Sequence, residues 1–242
     1  MNQSFEKIIF DRALNRHPEF WSEKKEDLTK TITEIIDEIS GFEAVDFDSI
    51  SKDEAENILA IWCISGSGSL TSDFIDSPSD DKYKDKKWYG GTDRIRLRFS
   101  EKIFLAIDKK KSRNLFLIYN GIPEQVVTLL QEAGKSFTVL KQQIYVPDGE
   151  IVKTLDQVEK FSLPPALKKK SGDLVIVSHA AHLSRILRFM KKHEKLFEGL
   201  TIRPLAARVD NSSDFVEAEL SGILDYVATG QASDKPIDFE SF

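Results

Sequence analysis

A chain of 242 residues, 40% hydrophobic and 31% charged, has a globular composition and the length for one large α/β domain or one domain plus an extension. Its formal net charge of −6 argues against broad binding to nucleic acid or anionic membranes. The single cysteine, Cys63, excludes an intramolecular disulfide.

Residues 1 to about 55 read as a helical extension. Leu28, Ile32, Ile35, Ile36 and Ile39 recur at helical spacing, Gly41 is a natural stop, and Ser51 with Glu54 makes a capping box. These helices must bury their apolar stripe, so they are expected to pack on the main domain, and they also offer a surface for self-association. Ala60 to Ile64 reads as a buried strand, with Cys63 as a core residue. Residues 70 to 93 are long, irregular and polar, a lid-like insertion beside that strand's end.

A helix is expected from about Thr92 to Lys110, then a strand over Leu115–Tyr119, then a helix opened by Pro123 and closed by Gly134. Phe137–Leu140 and Ile144–Val146 are short strand candidates. Thr154–Phe161 reads as a short helix, ended by Leu163-Pro164-Pro165. The β-branched run Leu174–Val177 is a strand, and Leu183, Ile186, Leu187 and Met190 begin a helix. Thr201–Leu205 is the last strand, and a helix over 213–228 ends before Gly230. The basic runs 109–111 and 168–170 each follow an expected helix end, where solvated lysines are favoured.

Strands alternating with helices predict a doubly wound, mostly parallel five-stranded α/β sheet of Rossmann-like form. The domain plan is a helical extension (1–55), the sheet domain (56–232) and a tail (233–242). No apolar run approaches the ~18 residues of a membrane span. The polar start Met1-Asn-Gln-Ser-Phe-Glu lacks a signal peptide's form, so the cytoplasm is the expected compartment.

Ligands of open α/β sheets bind at the carboxyl ends of the strands, and several chemical groups fall there. Ser65-Gly66-Ser67-Gly68-Ser69 follows the first sheet strand, and its glycines and hydroxyls suit a phosphate or carboxylate. It is neither Gly-x-Gly-x-x-Gly nor a Walker loop. Asn120-Gly121 follows the second strand, and Asp148, Glu150 and Thr154 follow the third. Arg208 and Asp210 follow the fifth. Ser178, His179, His182 and Arg185 span the junction of the fourth strand and its helix. Arg185 lies three residues past His182, on the same helix face, and suits an anionic group. The two histidines alone make poor metal ligands, so no metal is expected. Of Arg94, Arg96 and Arg98, one is expected to point into the pocket.

With these residues assembled, the chain resembles the YdcF/SanA/ElyC-like family, a bacterial α/β domain of largely unknown function. The matching features are the Ser65–Ser69 turn, an arginine-led helix around Arg98, the Asn120-Gly121 turn, and the Thr154-led helix. Ser178-x-x-x-His182-x-x-Arg185 and the closing helix before Asp225-Tyr226-Val-Ala-Thr-Gly230 complete the match, over roughly residues 58 to 230. The family's proline before the arginine is Ser184 here, and its Ser-Gly-Gly turn is Asn120-Gly121-Ile122. The resemblance implies a Rossmann-like pocket for a nucleotide-like or phosphorylated ligand; some members have been associated with S-adenosylmethionine.

The expected function is therefore a strand-end pocket for a small anionic molecule, nucleotide-like or phosphorylated, with acid/base-assisted transfer or hydrolysis as its chemistry. Ser65, Gly66, Ser67, Gly68, Asn120, Gly121, Thr154, Ser178 and His179 would make contacts, while Arg98 and Arg185 hold charge. His182 is the acid/base candidate, with Glu150 or Asp148 as its partner. The alternative is a non-catalytic binding or regulatory module using the same pocket. A third reading is a scaffold that self-associates through the N-terminal helices. A histidine-phosphatase-like reading rests on Arg16-His17 and Ser178-His179, but lacks the expected glycine after His17. No Gly-x-Ser-x-Gly elbow surrounds Ser178, so a serine hydrolase is not expected.

Overall fold

The computed structural model describes residues 3–42, 50–66, 92–167, 171–207 and 213–240. Among them, five strands form one all-parallel sheet: β1 (Ile58–Cys63), β2 (Phe116–Tyr119), β3 (Ile144–Tyr145), β4 (Gly172–Ser178) and β5 (Leu200–Ala206). Their order is β3-β2-β1-β4-β5. The chain moves outward from β1 through β2 to β3, then crosses to β4 on the other side of β1. That reversal makes the fold doubly wound and puts its topological switch point between the carboxyl ends of β1 and β4, where open α/β sheets bind their ligands.

Alternation along the strands sends residues to two cores. In register across the sheet, Ile118, Trp62 and Ile176 share one face, and Tyr119, Cys63 and Val177 share the other. The second face is covered by α5 (Thr92–Asp108) and α6 (Pro123–Glu132), through residues such as Leu97, Phe104 and Leu129. The first face is covered by α7 (Thr154–Glu159), α8 (Ala180–Lys192) and α9 (Ser213–Ala228). A register shift between Ile58 and Ala60 places Ile58 with Ile61 on the α5 side. Phe161 and Phe197 pack on Trp62, with ring centroids 4.5 and 6.2 Å away.

The N-terminal helices belong to the same core. α1 (Gln3–Arg16) packs on α9, and α3 (Lys25–Gly41) packs on α8, with the one-turn α2 (Pro18–Trp21) between them. The stripe Leu28, Ile32, Ile35, Ile36 and Ile39 is buried as its spacing demands. A buried ion pair pins α3 in place. Arg188 of α8, 1% exposed, donates from Nη1 to both carboxylate oxygens of Glu38 at 2.9 and 3.0 Å, and Ser184 Oγ donates to the same carboxylate. α4 (Lys52–Asn57) opens with the expected capping box, Ser51 N to Glu54 Oε2 at 2.8 Å and Glu54 N to Ser51 Oγ at 3.1 Å.

Some expectations require correction. Phe137–Leu140 is not a strand. Gly134, at φ +75°, turns the chain after α6, and its N–H donates to Phe137 O (2.7 Å) and Val139 O (3.1 Å). Thr138 N donates to the Glu101 carboxylate, so this stretch satisfies its backbone without the sheet. Its alternation arises because Phe137 and Val139 are buried under a turn. The third strand stops at Tyr145, and the Thr154 helix stops at Glu159. Lys110 and Lys111 are not simply solvated: their ammonium groups donate to the carbonyls of Ile50, Ala55 and Glu56, tying the end of α5 to α4. The 168–170 run and the 70–91 part of the expected lid lie outside the described residues.

After α9, Gly230 (φ +70°) ends the helix as expected; its N–H donates to Val227 O, and that of Gln231 donates to Tyr226 O. The segment beyond runs back along the sheet. Ile237 N donates to Leu187 O, and Glu240 N donates to Ile202 O on edge strand β5, two residues before Pro204. No described helix is long and apolar enough to cross a membrane.

Candidate active site at the strand ends

Two polar groups sit at the carboxyl edge of the sheet. The first is closed upon itself. Trp62 Nε1 donates to Asn120 Oδ1 at 2.9 Å, and Asn120 Nδ2 donates to Gln157 O at 2.8 Å. Gln157 accepts from Ser65 N at 3.0 Å and donates to Ser65 O at 3.1 Å. The side-chain amide of Gln157 thus takes both backbone groups of Ser65, and Asn120 is committed to Trp62 and α7. Gly66 O accepts from Gln125 Nε2 at 3.3 Å. Gly121 has its own reason to be glycine: an added Cβ would lie 2.7 Å from both Tyr119 Cε1 and Gln125 Oε1. This network ties β1, β2, α6 and α7 together. Asn120→Ala is expected to leave the buried Trp62 N–H without its acceptor and Gln157 O without its donor, at roughly 1–3 kcal/mol for each. Urea unfolding measures this; a loss under about 0.5 kcal/mol would contradict the structural role.

The second group is built around His182, in the first turn of α8. The ring is 2% exposed. Its Nδ1 lies 3.0 Å from Ser178 Oγ, the last side chain of β4, and its Nε2 lies 3.4 Å from Thr154 Oγ1, the first residue of α7. Arg185 Nη2 donates to the same Thr154 oxygen at 3.4 Å. Helical spacing places His182 and Arg185 on one face, and the crossover from β3 delivers Thr154 to meet them.

A guanidinium only donates, so Thr154 Oγ1 accepts from Arg185; its second lone pair and its own hydrogen let it either accept from or donate to His182 Nε2, and Ser178 Oγ serves Nδ1 in the complementary way in either tautomer. Burial, followed by the Arg185, Arg96 and His179 charges, pushes the His182 pKa well below its ordinary value, so the ring is neutral at pH 7. His179, the N-cap residue of α8, is also buried. Burial and then the Arg96 charge push its pKa well down, with the Ala207 backbone acting weakly the other way.

Arg96 of α5 is buried, 1% exposed, with Nη1 donating to Ile64 O at 3.1 Å. Arg98 instead pairs with Glu101, one turn along the same helix. Asp148 and Glu150 are exposed, and neither carboxylate bonds His182 among the described residues; both ring nitrogens face hydroxyls instead. Ser67, Gly68, Arg208 and Asp210 lie outside the described residues. Arg16 and His17 bind Asp225, near the C-terminal end of α9, at 2.6 and 3.2 Å. The structure therefore does not join them to His179 as a histidine-phosphatase pair.

Sequence reasoning missed Gln157 and Glu219. Glu219 of α9 is 8% exposed, and its Oε2 is 3.3 Å from Arg185 Nε. Its signal was available: Val216, Leu220, Ile223 and Val227 mark the buried face of α9, and residue 219 shares that face with 216 and 223. A carboxylate on an apolar stripe calls for a partner.

A separate surface hollow of about 220 Å³ between α1 and α3, lined by Glu6, Lys7, Phe10, Thr29 and Ile32, includes no strand-end residue. Comparisons with protein-family models, with curated proteins and with solved structures found no match to this chain.

Proposed function

We propose that the switch point between β1 and β4 takes a nucleotide-like or phosphorylated small molecule, in keeping with the YdcF-like resemblance. Arg185 holds its anionic group. The observation that carries this reading is the convergence of His182 and Arg185 on Thr154 Oγ1, at 3.4 Å each. These contacts are long, so both groups can turn toward a ligand at little cost. Thr154 and Arg185 are only partly buried, while Ser178 and His182 lie behind them. A phosphate reaching Arg185 would meet the Thr154 hydroxyl and, through it, His182 Nε2, which offers a lone pair in the tautomer that carries its hydrogen on Nδ1. A neutral imidazole so placed accepts a proton from an attacking hydroxyl or water, the role of a general base in phosphoryl or acyl transfer.

The burial of Ser178 and His182 favours a second reading, a binding or regulatory module in which Arg185 and Thr154 alone touch the ligand. Thermal-shift measurements against inorganic phosphate, nucleotides, sugar phosphates and S-adenosylmethionine separate these readings. A ligand at one hundred times its dissociation constant adds about 2.7 kcal/mol, a rise of several degrees. Arg185→Ala is expected to abolish that rise. No rise with any phosphate-bearing compound would refute the site. His182→Gln that keeps the rise but removes turnover supports catalysis; a protein with the rise and no turnover is a binding module.

A further inference from the structure

Arg185 and Glu219 form a charge pair that does not close as a hydrogen bond. Arg185 Nε and Glu219 Oε2 stand 3.3 Å apart, and both atoms are shielded from solvent, yet neither completes a hydrogen bond among the described residues. Glu219 is 8% exposed. Buried charged groups in folded proteins are normally hydrogen-bonded, because an unmet donor or acceptor there costs free energy. An unused donor and an unused acceptor thus lie side by side, next to the Thr154 hydroxyl and His182. Gly222, on α9 three residues past Glu219, lies beside the guanidinium head: a Cβ there would stand 3.6 Å from Arg185 Nη1, an ordinary van der Waals contact.

We propose that Arg185 and Glu219 act together as a recognition site for a hydroxylated anion, a sugar or polyol phosphate. Arg185 donates to the anionic oxygen, and Glu219 accepts from a hydroxyl on a nearby carbon. This rests on the reading of the strand-end cluster as an anion site and adds its substrate class. A bare anion suits the pair poorly, because Glu219 repels it with no hydrogen between them. A ligand ammonium is disfavoured because Arg185 already stands 3.3 Å from the Glu219 carboxylate and would repel it. A neutral hydroxyl meets the carboxylate at the lowest desolvation cost. The carboxylate therefore selects for the hydroxyl by rejecting ligands that lack it.

The test is isothermal titration of the full chain with ribose 5-phosphate and with methyl phosphate, which has no hydroxyl. A hydrogen bond to a charged group supports a preference of about tenfold to a hundredfold for ribose 5-phosphate. In Glu219→Gln that preference is expected to collapse to within a few-fold, while methyl phosphate binds as well or better. Equal binding of the two compounds by the unmodified protein, or an undiminished preference in Glu219→Gln, overturns the proposal while leaving the anion site standing. Failure of the unmodified protein to bind either compound overturns the anion site and the proposal together. If Glu219→Gln does not fold, the ratio in the unmodified protein decides alone.

Discussion

Glu38→Ala is expected to destabilise the protein by about 3–5 kcal/mol, the usual cost of removing one partner from a buried ion pair. Arg188, 1% exposed, would keep its charge inside the core with no carboxylate, and Ser184 Oγ would lose its acceptor. For a chain of this length, that loss corresponds to a fall in Tm on the order of 10 °C. The double change Glu38→Leu with Arg188→Met is expected to recover most of it, because buried ion pairs are often replaced by apolar residues at little cost. Chemical denaturation of the three proteins checks both statements. A loss below about 1 kcal/mol for the single change would mean that Arg188 finds another acceptor and that α3 is held by its apolar stripe alone. The pair matters because it joins the N-terminal helices to α8, the helix that carries His182 and Arg185.

The second large effect is on pH. His179 and His182 both have folded-state pKa values well below the ordinary 6.5, chiefly through burial. The unfolded chain therefore binds protons in a range where the folded chain does not. Stability then rises with pH in that window, with the slope set by the excess protons on the unfolded state. The histidine contribution is complete above about pH 6.5 and is lost as pH falls from there toward the folded-state values. Each histidine contributes up to about 1.4 kcal/mol per pH unit below 6.5, so two give at most about 2.7 kcal/mol per unit. Urea unfolding at pH 7.5, 6.5, 5.5 and 5.0 is expected to show a plateau followed by a steep decline. His182→Gln should remove about half of the histidine part of that slope. A flat profile from 7.5 to 5.0 would show that both rings charge freely in the folded state.

The fold was legible where local pattern and burial agree. β4 carries the apolar run Leu174–Val177, three of its four residues β-branched, with no charge after Asp173, the composition of a fully covered strand. The helix over 213–228 and the α3 stripe emerged at their correct positions because their apolar residues keep helical period over several turns. Phe137–Leu140 misled for a physical reason: alternation reports which side chains are buried, and a turn folded onto a core buries alternate residues as a strand does.

The site was legible in part. Ser178, His182, Arg185 and Thr154 converge because the first three share one strand–helix junction and the fourth opens the helix after an adjoining crossover. Arg96 and Arg98 could not be ranked from the sequence, since Glu101 decides which is neutralised and Ile64 O decides which is drawn inward. Asn120 and Ser65 looked like ligand contacts, but Gln157, about forty and ninety residues away, claims them. Such partnerships depend on the packing of distant segments and leave no local trace.

The edge strand β5 carries one more consequence. Parallel strands direct the backbone groups of alternate residues outward, so Ile202 and Pro204 face the same side. Glu240 N occupies the Ile202 carbonyl, and Pro204 has no N–H to offer. An incoming strand would find one site taken and the next chemically silent. At the opposite edge, β3 spans two residues. Among the described residues, sheet continuation between copies is thus opposed at β5 and given little purchase at β3.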